Sequence, residues 1–403
     1  MNESGVYDCP MAGTFREKLD VVFPLAWLFY LGFVSRVIFG PLMPQIQRDL
    51  GLSNVQSGNL FFMITLGYLL ANMCSGLIAA KIEHLGALRL SAWLLGLALA
   101  PLVFVDTFWG LGVTLMLIGF SGALHLPSAL ATLTAEIERF DWGKGFGVHQ
   151  CAPPLAFVTS PLIAAGLLHW WSWRTILVGW ALLSLLSALA YTLWGEGGRF
   201  PGRAISPLVM KDLAIRPSFW FITILLAMGM AGNAGIFAIL PLYFVAERGF
   251  ELASANTLIG FSQLSGILAV FFAGMAADRI GPQRFMGLTL GCTAVLTICI
   301  GWGSGWIVLL ALFLQPAVLT AFFPAAFAAL ARVAPPSMRS VTSAVGPPLA
   351  FLLGAGGIPV AIGHLADWTS FAFGIMVTGV LMLAVVPLVF LLRLGDYDSQ
   401  PGC

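Results

Sequence analysis

Twelve long apolar runs constrain this chain more than any motif does. They lie near 20–44, 54–79, 87–105, 109–133, 145–168, 174–195, 217–245, 254–277, 285–303, 306–331, 340–363 and 370–393. A helix rises 1.5 Å per residue, so about 20 apolar residues cross the ~30 Å hydrocarbon layer of a bilayer. In lipid each backbone amide must find its partner inside its own segment, which a helix provides and an open strand does not. A soluble fold cannot absorb such runs. Only 9% of the 403 residues are charged, against about 25% in a typical soluble domain. The first twenty residues are polar, and the run after them is too long for the core of a cleavable signal. The expected fold is an all-α membrane protein with twelve transmembrane helices.

Basic residues set the expected orientation. An even number of crossings leaves both tails on one side, where fifteen of the nineteen Lys and Arg residues fall. Arg48, Arg174 and Arg248 fall in the opposite loops, and Arg36 falls inside a span. The positive-inside rule then places both termini in the cytoplasm; the expected membrane is the bacterial inner (plasma) membrane. A net charge of +1 gives nucleic acid nothing to bind. The six cysteines are scattered without metal or disulfide spacing, and read as small core residues or exposed tail thiols. No cofactor is expected.

A Gly-, Pro- and Arg-containing stretch divides the runs six and six. The expected organisation is a tail (1–19), a six-helix bundle (20–195), a linker (196–216), a second six-helix bundle (217–393) and a tail (394–403). The halves repeat. Pro153-Pro154-Leu155-Ala156-Phe157 in the fifth span returns as Pro347-Pro348-Leu349-Ala350-Phe351 in the eleventh. Pro41-Leu42 followed by Arg48 is answered by Pro241-Leu242 followed by Arg248. Parallel repeats of this kind place a solute site between the halves near the midplane.

The loop after the eighth span reads Gly274-Met-Ala-Ala-Asp278-Arg279-Ile-Gly281-Pro-Gln-Arg284. It resembles the loop motif of the major facilitator superfamily, and the resemblance extends over essentially the whole chain. It implies two pseudo-symmetric six-helix bundles, and a charge cluster at Gly274, Asp278, Arg279, Gly281 and Arg284 that latches one conformation. The first-half copy is degraded: Ala80 stands at the aspartate position, and Glu83 is the candidate substitute at a different spacing. Ser160-Pro161 through Gly166 loosely resembles the family's antiporter motif but lacks two glycines, and reads better as a packing break.

Charge inside the membrane is scarce and therefore informative. Arg36 alone lies well within a span, at an expected cost of at least about 2.5–3.5 kcal/mol. With no carboxylate at its depth, an anionic solute is its natural counter-ion, and guanidinium offers a two-pronged fork to carboxylate or phosphate. The alternative is that Arg36 snorkels or caps backbone carbonyls freed by Pro41 and Pro44. The stretch from Tyr30 to Ser53 also resembles the family's organic-anion symporters, which often carry an aspartate beside this arginine; here Ser35 stands there. The resemblance implies a cavity lined by spans one, four, seven and ten. Candidate binding residues are Arg36, Tyr30, Phe33, His125, Asn233, Gln263 and Gln315, with Tyr68 and Asn72 as further polar candidates and Phe29 beside Phe33 as an apolar wall. His125 and His149 are the candidate proton carriers, since embedded acids are absent. A packing role is the alternative for each of these residues.

No nucleophile triad, phosphate loop or metal motif is present, so an enzyme is not expected. The expected function is secondary transport of a small, carboxylate-like organic anion by a monomer, with a proton or a counter-solute. Proton-driven efflux of an amphipathic drug or metabolite is the alternative, and a receptor that kept the fold is a third.

Overall fold

The computed structural model describes residues 15–203, 207–335, 338–392 and 394, leaving aside the side chains of 16, 17, 207–209, 270–278 and 340. Every regular element among them is helical, and the chain is a multi-pass membrane protein. In chain order the helices are α1 (Leu19–Leu50), α2 (54–82), α3 (84–103), α4 (Phe108–Glu136), α5 (Arg139–Leu167), α6 (Trp173–Trp194), α7 (Pro217–Ala246), α8 (Leu252–Ile280), α9 (Pro282–Trp302), α10 (Trp306–Arg332), α11 (Val341–Trp368) and α12 (Phe371–Leu391). α2 and α3 run on through the corner between them as one stretch, Asn54–Leu99, of 46 residues. At 1.5 Å per residue that is about 69 Å, more than twice the hydrocarbon thickness, so it counts as two crossings. The break is at Glu83, whose φ is +62°.

Local chemistry starts and bends these helices. Ser53 and Gln56 form a reciprocal capping box at α2. Thr107, Ser172 and Ser370 cap α4, α6 and α12 through their side chains. Pro217 and Pro282 open α7 and α9, where a missing N–H costs nothing. α7 and α11 each contain a π turn, at Ala231–Gly235 and Leu352–Gly357. Cys74, Cys151 and Cys292 are exposed on the bundle surface, correcting the expectation that such cysteines sit in the core.

The two bundles are held together at mid-membrane and towards the side opposite the tails. There α2 meets α11 closely: a Cβ on Gly58 would come within 2.4 Å of the Pro359 carbonyl oxygen, and one on Gly363 within 2.5 Å of that of Asn54. Buried Asn256 of α8 donates to the Pro41 carbonyl of α1 at 3.1 Å. The repeated pentapeptides also reach across. Phe157 packs edge-on against Phe237 at 4.8 Å, and Phe351 against Tyr68 at 5.2 Å.

Candidate functional site

Arg36 lies in α1 just before its bend at Ile38, and only 7% of its surface is exposed. Its Nε donates to the Gly32 carbonyl at 3.2 Å, four residues back on the same helix. The guanidinium carbon stands 4.7 Å from the Phe33 ring centre and 5.0 Å from that of Tyr68. Such ring contacts contribute about 2 kcal/mol each when desolvated, which offsets much of the cost of embedding the charge. Room for the group comes from Gly122 of α4, where a Cβ would stand 3.1 Å from Nε. Ion pairs among the described residues are Lys144–Asp141, Arg174–Asp49 and Arg174–Asp106, so none neutralises Arg36.

Three small cavities run across the two halves. The first, inside the first bundle, is bordered by Arg36, Ser91, Ser121, Gly122, His125 and Ser184. The second lies between the bundles, with Arg36, Phe61 and Thr65 facing Ala234, Phe237 and Phe351. The third, inside the second bundle, is bordered by Phe237, Asn233, Gln263 and Gln315. Their volumes of about 10, 30 and 20 Å³ suit a water molecule or two. Arg36 is the shared wall of the first pair and Phe237 of the second. Phe33, Phe157 and Phe237 form a continuous edge-on aromatic cluster beside the guanidinium.

The histidines meet. His125 and His149 are both buried, with Nε2 atoms 3.4 Å apart and parallel rings. Phe29 stacks on both, at 5.6 and 4.6 Å, so it belongs to the histidine pair as well as packing edge-on against Phe33. The Nδ1 of His149 has no protein partner. One Nε2 must carry a proton and the other accept it, so the pair can hold a single proton between two rings.

In the second half, Gln315 donates from Nε2 to the Gly232 carbonyl at 2.8 Å, inside the π turn of α7. A π turn skips an α-type bond, which leaves backbone oxygens for side chains to satisfy. Asn233, Gln263 and Gln315 therefore share one cavity but are separated from Arg36 by Phe237.

A family model described as Major Facilitator Superfamily matches residues 25–345. The chain belongs to that superfamily. Among curated relatives, the membrane sensor protein UhpC of Escherichia coli is 23% identical over 328 residues, covering 75% of this chain and 73% of its own. An MFS-type efflux pump of Mycolicibacterium smegmatis is 24% identical over 398 residues, covering 92% and 90%. A solved bacterial homologue of the human lysosomal transporter Spinster, in an inward-facing and occupied conformation, superimposes with a TM-score of 0.80 at 15% identity over 94% of this chain and 97% of its own. The family model establishes the family; the structural likeness shows the fold, and identities this low carry no substrate.

Several sequence expectations for this superfamily member change against the geometry. Tyr30 does not join Arg36: its hydroxyl bonds Thr159 at 2.8 Å, and its ring packs on Trp27 and Trp180. It sits on the α5–α6 side of α1 because six residues, at about 100° each, turn it well away from Arg36. Ser35, where an aspartate was the comparison, donates to the Leu31 carbonyl and accepts from Trp180 Nε1. Asn72 bonds its own helix at Tyr68. Of the loop motif, Arg279 and Arg284 are exposed and Gly281 takes φ +87°, while the surroundings of Gly274 and the Asp278 side chain lie outside what is described. Glu83, the candidate substitute for the missing aspartate, is exposed and makes no ion pair among the described residues. It occupies the position of Gly281 in the repeat, and its backbone adopts the glycine-like conformation there. By sequence Tyr68 is one polar candidate among several; its place over Arg36 joins residues 32 apart, which spacing within one helix cannot reveal.

Proposed function

We propose that this superfamily member is a secondary transporter of a small organic anion, carboxylate-like, working by alternating access from a bacterial inner membrane with both termini in the cytoplasm. The observation that carries this reading is the un-neutralised guanidinium of Arg36 on the wall between the bundles. An anion arriving there exchanges two ring contacts and one backbone bond for a charge-assisted pair, which is roughly twice as strong as a neutral hydrogen bond. The repeat puts Ile236 where Arg36 stands in the first half, so the second half meets the solute with neutral groups, Asn233, Gln263 and Gln315. His125 borders the same first-bundle cavity as Arg36, and the His125–His149 pair supplies the proton when anion entry is proton-coupled.

The test is a melting-temperature screen of purified protein against carboxylates, phosphates and hydrophobic cations. Anions should stabilise wild type, Arg36→Ala should lose the effect while folding normally, and Arg36→Lys should be impaired. Stabilisation by cations alone, or an Arg36→Ala variant that still responds, overturns the reading. Efflux of an amphipathic compound is the second reading, favoured by the aromatic cluster at Phe33, Phe157 and Phe237 and by the efflux pump similar over 92% of this chain. The same screen separates the two.

A further inference from the structure

Arg36 borders two cavities, and the hydrogen-bond donors around them limit what kind of anion it can hold. Its Nε is already committed to the Gly32 carbonyl, so the edge left for a ligand is the pair of terminal nitrogens. That edge is a single planar fork, which matches the two oxygens of one carboxylate. The hydroxyls around it add no hydrogen. Ser91 donates to the Ser121 carbonyl at 2.8 Å, Ser121 to that of Ile118 at 2.7 Å, and Ser184 to that of Trp180 at 2.8 Å. The Thr65 hydroxyl is directed at the carbonyls of Phe61 and Phe62, at 3.2 and 2.9 Å. Committed in this way, each hydroxyl oxygen can accept a bond but has none to give. His125 is engaged through Nε2 with His149. The Tyr68 hydroxyl, whose ring lies over the guanidinium, supplies at most one further hydrogen.

Charge and lining agree with the donor count. Among the described residues, Arg36 is the one Lys or Arg on any of the three cavities. One fixed positive charge offsets one negative charge. A dicarboxylate, or a phosphate monoester above about pH 6, brings a second that would stay unpaired in a low-dielectric interior. Away from the fork the wall is apolar. Val37, Phe61, Ile64, Ala234, Phe237 and Phe351 border the chamber between the bundles, and Thr65 is its one other polar side chain among the described residues. Phe33 and Phe157 continue the wall edge-on to Phe237. The amides of Asn233, Gln263 and Gln315 stand beyond Phe237, where only the far end of a solute can meet them. A hydroxyl on the body of the solute finds the Thr65 oxygen and little else, and a polar group stranded without a partner is costly.

We propose that the solute is a monocarboxylate with a hydrocarbon body, linear or aromatic, whose polar atoms are confined to its ends. This class rests on the reading of Arg36 as the anion's partner and narrows what that partner accepts. Phosphates, dicarboxylates and polyhydroxy acids are rejected, the first two by unpaired charge and the last by stranded hydroxyls.

The test uses six-carbon probes that change one property at a time. Hexanoate is the reference, hexyl phosphate changes the head, adipate adds a second charge, and gluconate adds hydroxyls along the body. Calorimetric titration of the purified full chain at about pH 8, above the ordinary histidine range, keeps the histidine pair neutral throughout. Hexanoate should bind, and Arg36→Ala should abolish its binding. Each of the other probes should bind at least about 5-fold more weakly, the effect of one stranded polar group, and gluconate most weakly of all. Gluconate, adipate or hexyl phosphate binding as tightly as hexanoate, and losing that binding in Arg36→Ala, overturns this inference while the anion reading stands. If no probe binds, or if hexanoate binding survives Arg36→Ala, the anion reading falls and the inference falls with it.

Discussion

Replacing Glu83 by glycine should make this protein more stable. Glu83 is the one non-glycine among the described residues with positive φ, at φ +62° and ψ +169°. That region is essentially reserved for glycine, and holding another residue there costs about 1–3 kcal/mol. The side chain is exposed and belongs to none of the ion pairs among the described residues, so no visible contact compensates. Glycine releases the strain but loses about 0.5–1 kcal/mol of extra backbone entropy on folding. The net gain is about 0.5–2 kcal/mol. With about 2.1 cal/mol/K of unfolding entropy per residue, a chain this long shifts by about 1 °C per kcal/mol, so Tm should rise about 1–2 °C. Intrinsic tryptophan fluorescence on heating in detergent resolves that in replicate. Two companions fix the sign. Glu83→Ala keeps the strain and should leave Tm where it is, whereas Gly281→Ala, at φ +87° in the other half, should lower it. A lower Tm for Glu83→Gly alongside an unchanged Glu83→Ala would refute the strain argument.

Gly122→Val should fold yet lose anion-induced stabilisation, because even the first added carbon would stand 3.1–3.4 Å from Nε, Cζ and Cδ of Arg36 and displace the fork. Loss of a charge-assisted bond is worth about 1.5–3 kcal/mol, or about 10–150-fold in Kd by titration. Gly356→Val should destabilise the arrangement seen here, since its Cβ would fall 2.0 Å from Thr65 Oγ1 across the bundle interface. Labelling of single cysteines on the side opposite the tails should then become faster, and an unchanged rate would argue against that contact as a seal.

The architecture was legible because the bilayer enforces a length rule that twelve apolar runs obey, and because Pro153–Phe157 and Pro347–Phe351 repeat letter for letter. Corners and contacts were less so. At the Glu83 corner the side chain draws the eye, while what matters there is a backbone angle that no residue type but glycine announces. Arg36 stood out because charge is rare at its depth, yet its ring partner on α2 was invisible to periodicity within α1. The histidine pair could not be seen either: His125 and His149 lie on different helices, and only the α4–α5 packing brings them together. Asn233 has small neighbours, but the extra residue in its turn leaves no compositional mark.

Those wide turns in α7 and α11 face each other, with Gly235 and Gly354 where the backbones touch. A π turn holds one residue more than its α neighbours, and when it migrates by one position one i→i+5 bond replaces another without unfolding the helix. Each residue it passes is swung by about 100°. In α7 the next residues are Ile236 and Phe237. Passage of the bulge beyond Phe237 would turn that ring out of the wall it forms and merge the chamber beside Arg36 with the one beside Asn233, Gln263 and Gln315. A backbone defect parked two residues away thus gives a closely packed interior a way to rearrange its lining.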